Sequence, residues 1–482
     1  MNRQINRVTA GLIFLLLALI ANVSFIQVFD AKSLRSQPGN QRVLLTEYSR
    51  ERGPILLSST PVAQSTATKD ALKFLRSYPK GAAYAPVTGF YSMVYGATGI
   101  EGRENDVLAG NDSRFFVDRL QQMFANRKPQ GGAVRLTINA DAQLAGFKAL
   151  NGRTGAVVAL DPTTGAILAL VSSPSFDPNT LSSHDAKTIQ ETYDVLNADP
   201  NKPMLNRPLA MTLPPGSTFK LVTAAAALES GNFAADSVLP GPASLDLPQT
   251  SSSIGNWTGK ACGPDDKTTL KDALAMSCNT AFAWLGMKIG ANAIEEQAKK
   301  FGFESSFDVP MTAATSHFPS NLNEPQTAMS AIGQYDVRAT ALQMAMVAAG
   351  IANDGVVMQP YLVAQILGPD LSVLQNTSPR AVSRAMSSEN AAILRYMMVN
   401  VVSHGTGSNA RIAGVEVGGK TGTAENAPGE SAHAWFVGLA PAQNSQVVVA
   451  VVLEHGGGAT EVSGNALAAP IARAVMRAVL GR

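Results

Sequence analysis

A serine and a lysine three residues apart, Ser217 and Lys220, are the first residues whose types and spacing could do chemistry. They open an apolar stretch that predicts a helix over residues 217–229, so Lys220 lies one turn further on the same face. A serine is a strong nucleophile only when a base takes its proton, and a lysine is a base only when neutral. Burial and a second nearby cation would both lower the pKa of Lys220. The pair indicates acyl transfer, although a chance lysine after a serine that starts a helix gives the same pattern.

A second polar pair, Ser277 and Asn279, flanks Cys278 on a turn before the helix predicted from Thr280. Side chains two residues apart can face one cleft while the residue between them faces away. The hydroxyl can then relay a proton to a leaving group, and the carboxamide can hold a peptide carbonyl. The alternative is an ordinary serine or asparagine helix cap.

A third group, Lys420-Thr421-Gly422-Thr423, lies in a predicted strand. Thr421 and Thr423 share one face and offer two hydroxyls to a carboxylate or carbonyl, while Gly422 leaves room for another element to pack closely. Strict alternation points Lys420 away from the threonines, so it reaches a cleft only through its long side chain or a twist of the strand. The alternative is a solvated lysine on an edge strand.

The order of the three motifs is more specific than any one of them. Ser-x-x-Lys is followed by Ser-x-Asn about 60 residues later and by Lys-Thr-Gly about 140 residues beyond. The chain therefore resembles the penicillin-binding proteins and serine β-lactamases. Matching phrases around the motifs include residues 331–334, 405–407 and 434–438. The segment before residue 134 is too short for the glycosyltransferase domain of class A members, so the resemblance is closest to the short class B enzymes of actinobacteria.

The predicted elements indicate an α+β fold whose sheet is built from distant segments. Strands are predicted at 134–138, 155–160, 166–172, 414–423, 432–439 and 446–453, and helices at 217–229, 280–290, 293–301, 340–353, 388–402 and 465–480. The resemblance implies a transpeptidase domain over residues 135–482, with an antiparallel sheet flanked by a helical block. Residues 31–134, which end in a linker at 127–132, are expected to form a smaller β-rich, non-catalytic domain of the dimerisation or pedestal type.

A nearly uninterrupted apolar run over residues 8–29 follows two arginines and is closed by Asp30 and Lys32. Its length is close to the roughly 20 residues that cross a bilayer, and no small-x-small cleavage site follows it. Residues 1–30 are therefore expected to form a cytoplasmic stub and a single transmembrane anchor, with the rest of the chain outside the cytoplasm. A buried helix of a soluble core is the alternative.

Composition narrows the function further. In 482 residues, 45% are hydrophobic and 15% charged, which favours a large core over disorder. A net charge of +2 gives no indication of a nucleic-acid partner. Five scattered histidines leave little material for a metal site, and no cofactor is expected. The only cysteines, Cys262 and Cys278, could form a disulfide in an oxidising compartment. Such a bridge would stabilise the fold by about 3 kcal/mol and fix the turn of the second motif; two free thiols are the alternative.

The resemblance implies a peptidoglycan D,D-transpeptidase that acts in growth and division and is inhibited covalently by β-lactams. Ser217 would attack a donor stem peptide with Lys220 as the base, and Ser277 with Lys420 would pass the proton to the departing D-alanine. The donor backbone and carboxylate would be held by Asn279, Thr421, Gly422 and Thr423. Alternatives are a D,D-carboxypeptidase, a β-lactamase, or a non-catalytic β-lactam-binding sensor or division protein.

The expected location is the plasma membrane, with one span and an extracytoplasmic catalytic domain. Expected partners are donor and acceptor stem peptides, β-lactams, a polytopic glycan polymerase and other division or elongation proteins. The polymerase would dock on the anchor and on the N-terminal domain.

Overall fold

The computed structural model describes residues 2–27, 47–115, 130–425, 429–459 and 462–482. Helix α1, Asn2–Phe25, contains most of the apolar run, and its segment Gln4–Phe25 is long and apolar enough to cross a membrane. Residues 28–29 of the predicted run and 127–129 of the predicted linker lie outside the described residues.

A six-stranded sheet organises the part of the chain that follows α1. Its strands, in spatial order, are β15 (Val373–Asn376), β14 (Val363–Leu367), β6 (Ala133–Leu136), β1 (Ile55–Leu57), β2 (Thr60–Ala67) and β3 (Phe74–Ser77). Strands β1 and β6 run parallel and the other neighbours antiparallel. Because β14 and β15 come from far beyond residue 134, this sheet crosses the domain boundary expected from the sequence. The strand predicted at 134–138 belongs here and not to the sheet of the third motif.

A buried carboxylate held between two arginines lies beside this sheet. The carboxylate belongs to Glu101 of the short helix α3 (Gly99–Arg103). The neighbouring short elements along the chain are helix α2 (Ala85–Thr88), hairpin β4 (Tyr91–Ser92) and β5 (Gly96–Ala97), and helix α4 (Asn105–Leu108). Glu101 accepts hydrogen bonds from Nε of Arg52 at 2.7 Å and Nε of Arg76 at 2.5 Å, and all three residues are buried. Burial by itself would raise the pKa of Glu101, but the two guanidinium groups outweigh it and hold the pKa below its ordinary value.

The third motif lies in a five-stranded antiparallel sheet. Its order is β17 (Gly418–Ala424), β18 (His433–Ala440), β19 (Val447–Leu453), β7 (Gly155–Leu160) and β8 (Ile167–Ser173). Alternate residues of β7 enter different cores, because successive side chains of a strand point to opposite faces. Val157 packs with α5 (Ala140–Leu150) and α15 (Ala469–Val479), and Val158 packs with α13 (Ala341–Ala352). Helices therefore cover both faces of this sheet.

A helical block lies between the two parts of this sheet in the sequence. Besides α13, it contains α6 (Ala186–Ala198), α7 (Arg207–Ala210), α8 (Lys220–Glu229), α9 (Leu270–Met276), α10 (Asn279–Ile289), α11 (Ala291–Lys300), α12 (Glu324–Ala331) and α14 (Ser388–Ser403). Three small two-stranded antiparallel sheets join it: β9 (Val238–Pro240) with β12 (Lys267–Thr269), β10 (Ser244–Asp246) with β11 (Ser253–Gly255), and β13 (Val356–Met358) with β16 (Ala381–Arg384). The predicted α+β fold is confirmed. Helices α5, α6, α9 and α12 and the short α7 of this part of the chain are absent from the predicted elements; the sequence signal for α5 is Asn139, whose side chain caps it.

Candidate active site

The serine of the first motif lies in a tight turn and not in the first turn of an α-helix. Residues Gly216–Phe219 form a 3-10 turn, and α8 begins only at Lys220. Pro215, immediately before this turn, takes helical dihedral angles, φ −75° and ψ −13°. The helix predicted from residue 217 therefore starts with a short 3-10 segment, which is common at the ends of α-helices. This turn leaves Ser217 partly exposed and buries Lys220 completely.

Two glycines let the serine turn approach β17 backbone to backbone. A Cβ atom on Gly422 would lie 3.0 Å from the Pro215 oxygen and from the Thr218 side chain. A Cβ atom on Gly216, whose φ is +52°, would lie 3.0 Å from the Thr423 oxygen. Gly422 thus leaves room for a packing element, as the sequence predicts, and that element is the turn that carries the first motif.

The second motif forms the joint between α9 and α10. Ser277 ends α9 with φ +60° and ψ +41°, a left-handed conformation that is uncommon for residues other than glycine. Such conformations persist where the surrounding structure fixes them and cluster at functional sites. Asn279 is the first residue of α10, and Cys278 between them is buried and joined to Cys262 in a disulfide. The residue between the two polar side chains therefore faces away from them, as expected.

The amino group of Lys220 connects the first motif to the second. Its Nζ donates to the Ser277 backbone oxygen at 2.8 Å and to Asn279 Oδ1 at 2.8 Å, and it lies 3.4 Å from Ser277 Oγ. Within the described residues, its hydrogen bonds do not include one to the Ser217 hydroxyl, which was expected to be within its reach. Catalytic hydrogen bonds often form only when substrate is bound, so this geometry is compatible with Lys220 acting as the base for Ser217.

Lys420 connects the third motif to the same serine. Its Nζ donates to Ser277 Oγ at 2.8 Å and to the Thr421 backbone oxygen at 3.0 Å. The side chain is completely buried, so the alternative of a solvated lysine on an edge strand is wrong. Ser277 Oγ thus lies between two lysine amino groups. Of the neighbouring threonines, Thr423 is exposed and Thr421 is nearly buried.

Both lysines have pKa values below the ordinary value of a lysine. Burial, and then the nearby charge of Lys420, hold the pKa of Lys220 well below its ordinary value. Burial lowers the pKa of Lys420 to about 7. Water cannot solvate an ammonium group in these positions, so each neutral amine gains in population. The two causes predicted from the sequence for Lys220, burial and a second cation, are the ones found.

Two polar residues of the site were not predicted from the sequence. Thr406 lies in the 405–407 phrase, and its hydroxyl is 2.7 Å from the hydroxyl of Thr421, while its backbone N–H donates to Ala275 at the end of α9. Asn256 hydrogen-bonds the backbone at the start of α10. Neither has a spacing that marks it, because both act across a contact between distant segments.

The family comparisons match both parts of the chain. Residues 155–477 match the penicillin-binding protein transpeptidase domain, which is about two thirds of the chain. Residues 52–134 match the dimerisation domain of penicillin-binding protein A.

Whole-length relatives agree with these matches. The chain is 44% identical to the peptidoglycan D,D-transpeptidase PbpA of Mycolicibacterium smegmatis, over 100% of this chain and 99% of that protein. It is 42% identical to the crystallised penicillin-binding protein A of M. tuberculosis in its ceftriaxone acyl-enzyme complex, with a TM-score of 0.89 over 91% of this chain and 100% of that one. Penicillin-binding protein 2 of Pseudomonas aeruginosa is more distant, at 28% identity and a TM-score of 0.75 over 89% of this chain and 95% of that one. The chain therefore belongs to the penicillin-binding protein family, as a class B member of the actinobacterial type.

Proposed function

We propose that this protein is a peptidoglycan D,D-transpeptidase that joins stem peptides through an acyl-enzyme on Ser217. The observation that carries the proposal is the placement of Ser277 Oγ between two buried lysines, 3.4 Å from Lys220 Nζ and 2.8 Å from Lys420 Nζ. A serine nucleophile needs a base, and its leaving group needs a proton. Two amines of lowered pKa that are joined by one hydroxyl supply both the base and the proton from the same site.

In the first half-reaction, neutral Lys220 takes the proton of the Ser217 hydroxyl as Ser217 Oγ bonds to the carbonyl carbon of the penultimate D-alanine. The amide bond to the last D-alanine breaks, and its nitrogen receives a proton through Ser277 from Lys420. Backbone N–H groups of Ser217 and Thr423 would stabilise the oxyanion, since donors aimed at the developing charge usually contribute most to such reactions.

The donor peptide would be held by the remaining polar groups of the cleft. The Asn279 carboxamide would hydrogen-bond its backbone. The hydroxyls of Thr421 and Thr423 would bind its terminal carboxylate. In the second half-reaction, an amine of a neighbouring stem peptide bonds to the ester carbonyl carbon and gives a proton through Ser277 to the neutral Lys420. The bond from this carbon to Ser217 Oγ breaks, and Ser217 Oγ regains its proton from Lys220.

The location and the protein partners also belong to this proposal. Helix α1 is taken as a single anchor in the plasma membrane, because its segment Gln4–Phe25 has the required length and apolar composition. The catalytic part would then lie outside the cytoplasm, where its substrate is. A polytopic glycan polymerase is the expected partner, contacting α1 and the six-stranded sheet region.

The test is intact-protein mass spectrometry of the full-length chain in detergent with benzylpenicillin. We expect one penicilloyl adduct, which is lost in Ser217→Ala and kept in Ser230→Ala. Ser230 is an exposed serine at the end of α8, the helix that follows the turn of Ser217. An adduct that persists in Ser217→Ala would refute the assignment of the nucleophile.

A pentapeptide stem with an amine acceptor then separates the activities. A cross-linked product with release of D-alanine supports transpeptidation, whereas release of D-alanine with free tetrapeptide alone would indicate a carboxypeptidase. Turnover of penicillin to penicilloic acid would indicate a β-lactamase. A stable adduct without any peptide turnover would indicate a non-catalytic binding protein.

A further inference from the structure

Helix α10 carries Asn279 at its first position but has no capping side chain of its own. The residue in the cap position is Cys278, whose side chain accepts no capping hydrogen bond from the backbone of the helix. The first N–H groups of any α-helix lack partners within the helix and need an acceptor from elsewhere. Here the helix start must also hold the active-site residues Ser277 and Asn279 in place.

The missing acceptor comes from Asn256, 23 residues upstream. Its Oδ1 accepts from the backbone N–H of Asn279 at 3.0 Å and of Thr280 at 3.1 Å. Its Nδ2 donates to the backbone oxygens of Pro242 and Lys260, both at 2.9 Å. Asn256 is 8% exposed. The carboxamide therefore caps α10 with its oxygen and ties its own loop together with its nitrogen.

The residues next to Asn256 hold the same joint at other points. The Gly255 backbone oxygen accepts from Asn279 Nδ2 at 3.0 Å. The indole Nε1 of Trp257 donates to the Met276 oxygen at 3.2 Å, immediately before Ser277. Three consecutive residues thus contact the chain on both sides of the left-handed Ser277, and Asn256 is the buried one among them.

We infer that Asn256 is a positioning residue for the second motif. It caps α10 from another segment of the same chain and thereby fixes the positions of Ser277 and Asn279 relative to the two lysines. The inference rests on the proposed function of those residues. Lys220 reaches the Ser277 oxygen and Asn279 Oδ1 at 2.8 Å each, so a displaced α10 start changes both contacts together. Misplacement of a reacting group by about 1 Å can slow an enzyme about 100-fold.

The test compares Asn256→Leu with Asn139→Leu in the full-length chain. Asn139 caps α5 in the same way, accepting from the Ala142 N–H at 3.0 Å, but lies away from the three motifs. We expect both variants to lower the melting temperature, Asn256→Leu by more because it also loses the two hydrogen bonds to Pro242 and Lys260. Only Asn256→Leu should lower the rate constant for acylation of Ser217 by benzylpenicillin, by roughly 10- to 100-fold.

Asn256→Asp separates the role of the side-chain oxygen, which caps α10, from that of the side-chain nitrogen, which hydrogen-bonds within the loop. A carboxylate keeps the acceptor oxygen and suits the positive end of a helix dipole, but it cannot donate to Pro242 or Lys260. We expect Asn256→Asp to recover most of the acylation rate that Asn256→Leu loses. The inference is overturned if Asn256→Leu acylates within twofold of the parent protein, if Asn139→Leu loses as much, or if Asn256→Asp fails as Asn256→Leu does. Failure of the proposed function is a different result, because the parent protein itself would then form no adduct on Ser217.

Discussion

Replacing Lys420 with methionine should make the protein more stable at neutral pH while abolishing its activity. The burial that lowers the pKa of this lysine from 10.5 to about 7 is a penalty on its charged form. At about 1.4 kcal/mol for each tenfold change in a proton equilibrium, this penalty is about 4 to 5 kcal/mol at pH 7. Methionine keeps most of the apolar side chain without the charge.

The lost hydrogen bonds offset part of this gain. Lys420 Nζ donates to Ser277 Oγ at 2.8 Å and to the Thr421 oxygen at 3.0 Å, and each is worth about 1 kcal/mol. The net stabilisation of Lys420→Met at pH 7 is therefore about 2 kcal/mol, or roughly a 2 °C rise in Tm for a chain of this size. Acylation of Ser217 should fall by 100-fold or more, comparable to the loss of an oxyanion-hole donor.

The pH dependence fixes the sign of the effect. In the folded protein Lys420 releases its proton near pH 7, whereas the unfolded chain holds it to about pH 10.5. Between these values the unfolded state binds more protons, so the stability of the parent protein rises with pH. The variant lacks this contribution, and its advantage should shrink towards pH 10.

Thermal unfolding of the full-length chain in detergent, at pH 7 and pH 10, measures both quantities. Lys267→Met is the matched control, because Lys267 is exposed and its replacement should change stability by no more than about 0.5 kcal/mol. If Lys420→Met is less stable than the parent at pH 7, or if the difference is the same at both pH values, the reasoning from desolvation is wrong.

Three other outcomes are expected. Cys262→Ser should lower the free energy of unfolding by about 3 kcal/mol and slow the acylation of Ser217 by penicillin. The reason is that it removes the disulfide to Cys278, a cross-link between residues 16 apart that anchors the second motif. Unchanged acylation would exclude the anchoring role. Glu101→Gln should cost about 3 to 5 kcal/mol in unfolding experiments, since it leaves two buried arginines without a full counter-charge, while the folded fraction acylates at the parent rate. Thr406→Val removes the 2.7 Å hydrogen bond to the Thr421 hydroxyl and should lower kcat/KM for a stem-peptide donor about tenfold; equal loss in Thr406→Ser would contradict this reason.

Much of the candidate site was predictable because its chemistry lies in short motifs. Ser217 and Lys220 are three residues apart, so a single turn of the chain keeps them close to each other. The hydrogen-bond partners of the Lys220 amine, Ser277 and Asn279, come from a distant segment. The helices and strands around the motifs followed from the periodicity of apolar residues, which local backbone geometry imposes. The N-terminal helix α1 could be predicted from the length and composition of its apolar run alone.

Other features depended on contacts between distant segments and had no local signal. Strands β14 and β15 join the six-stranded sheet from more than 200 residues beyond β1, which the periodicity of either segment cannot reveal. The cap of α10 comes from Asn256, while the local sequence offered a plain serine or asparagine cap. The Thr406 hydroxyl meets Thr421 only because the end of α14 lies beside β17.

The sequence by itself determined which groups the site contains, their order along the chain, and the family to which the protein belongs. The tertiary structure alone decided their working state. It placed Ser277 Oγ between Lys220 and Lys420, and buried both amines so that their pKa values fall. The physical reason is that desolvation and mutual repulsion depend on which atoms surround a charge in three dimensions. Those atoms come from β17, α8 and the α9–α10 joint, which are separated along the chain and meet only in the folded protein.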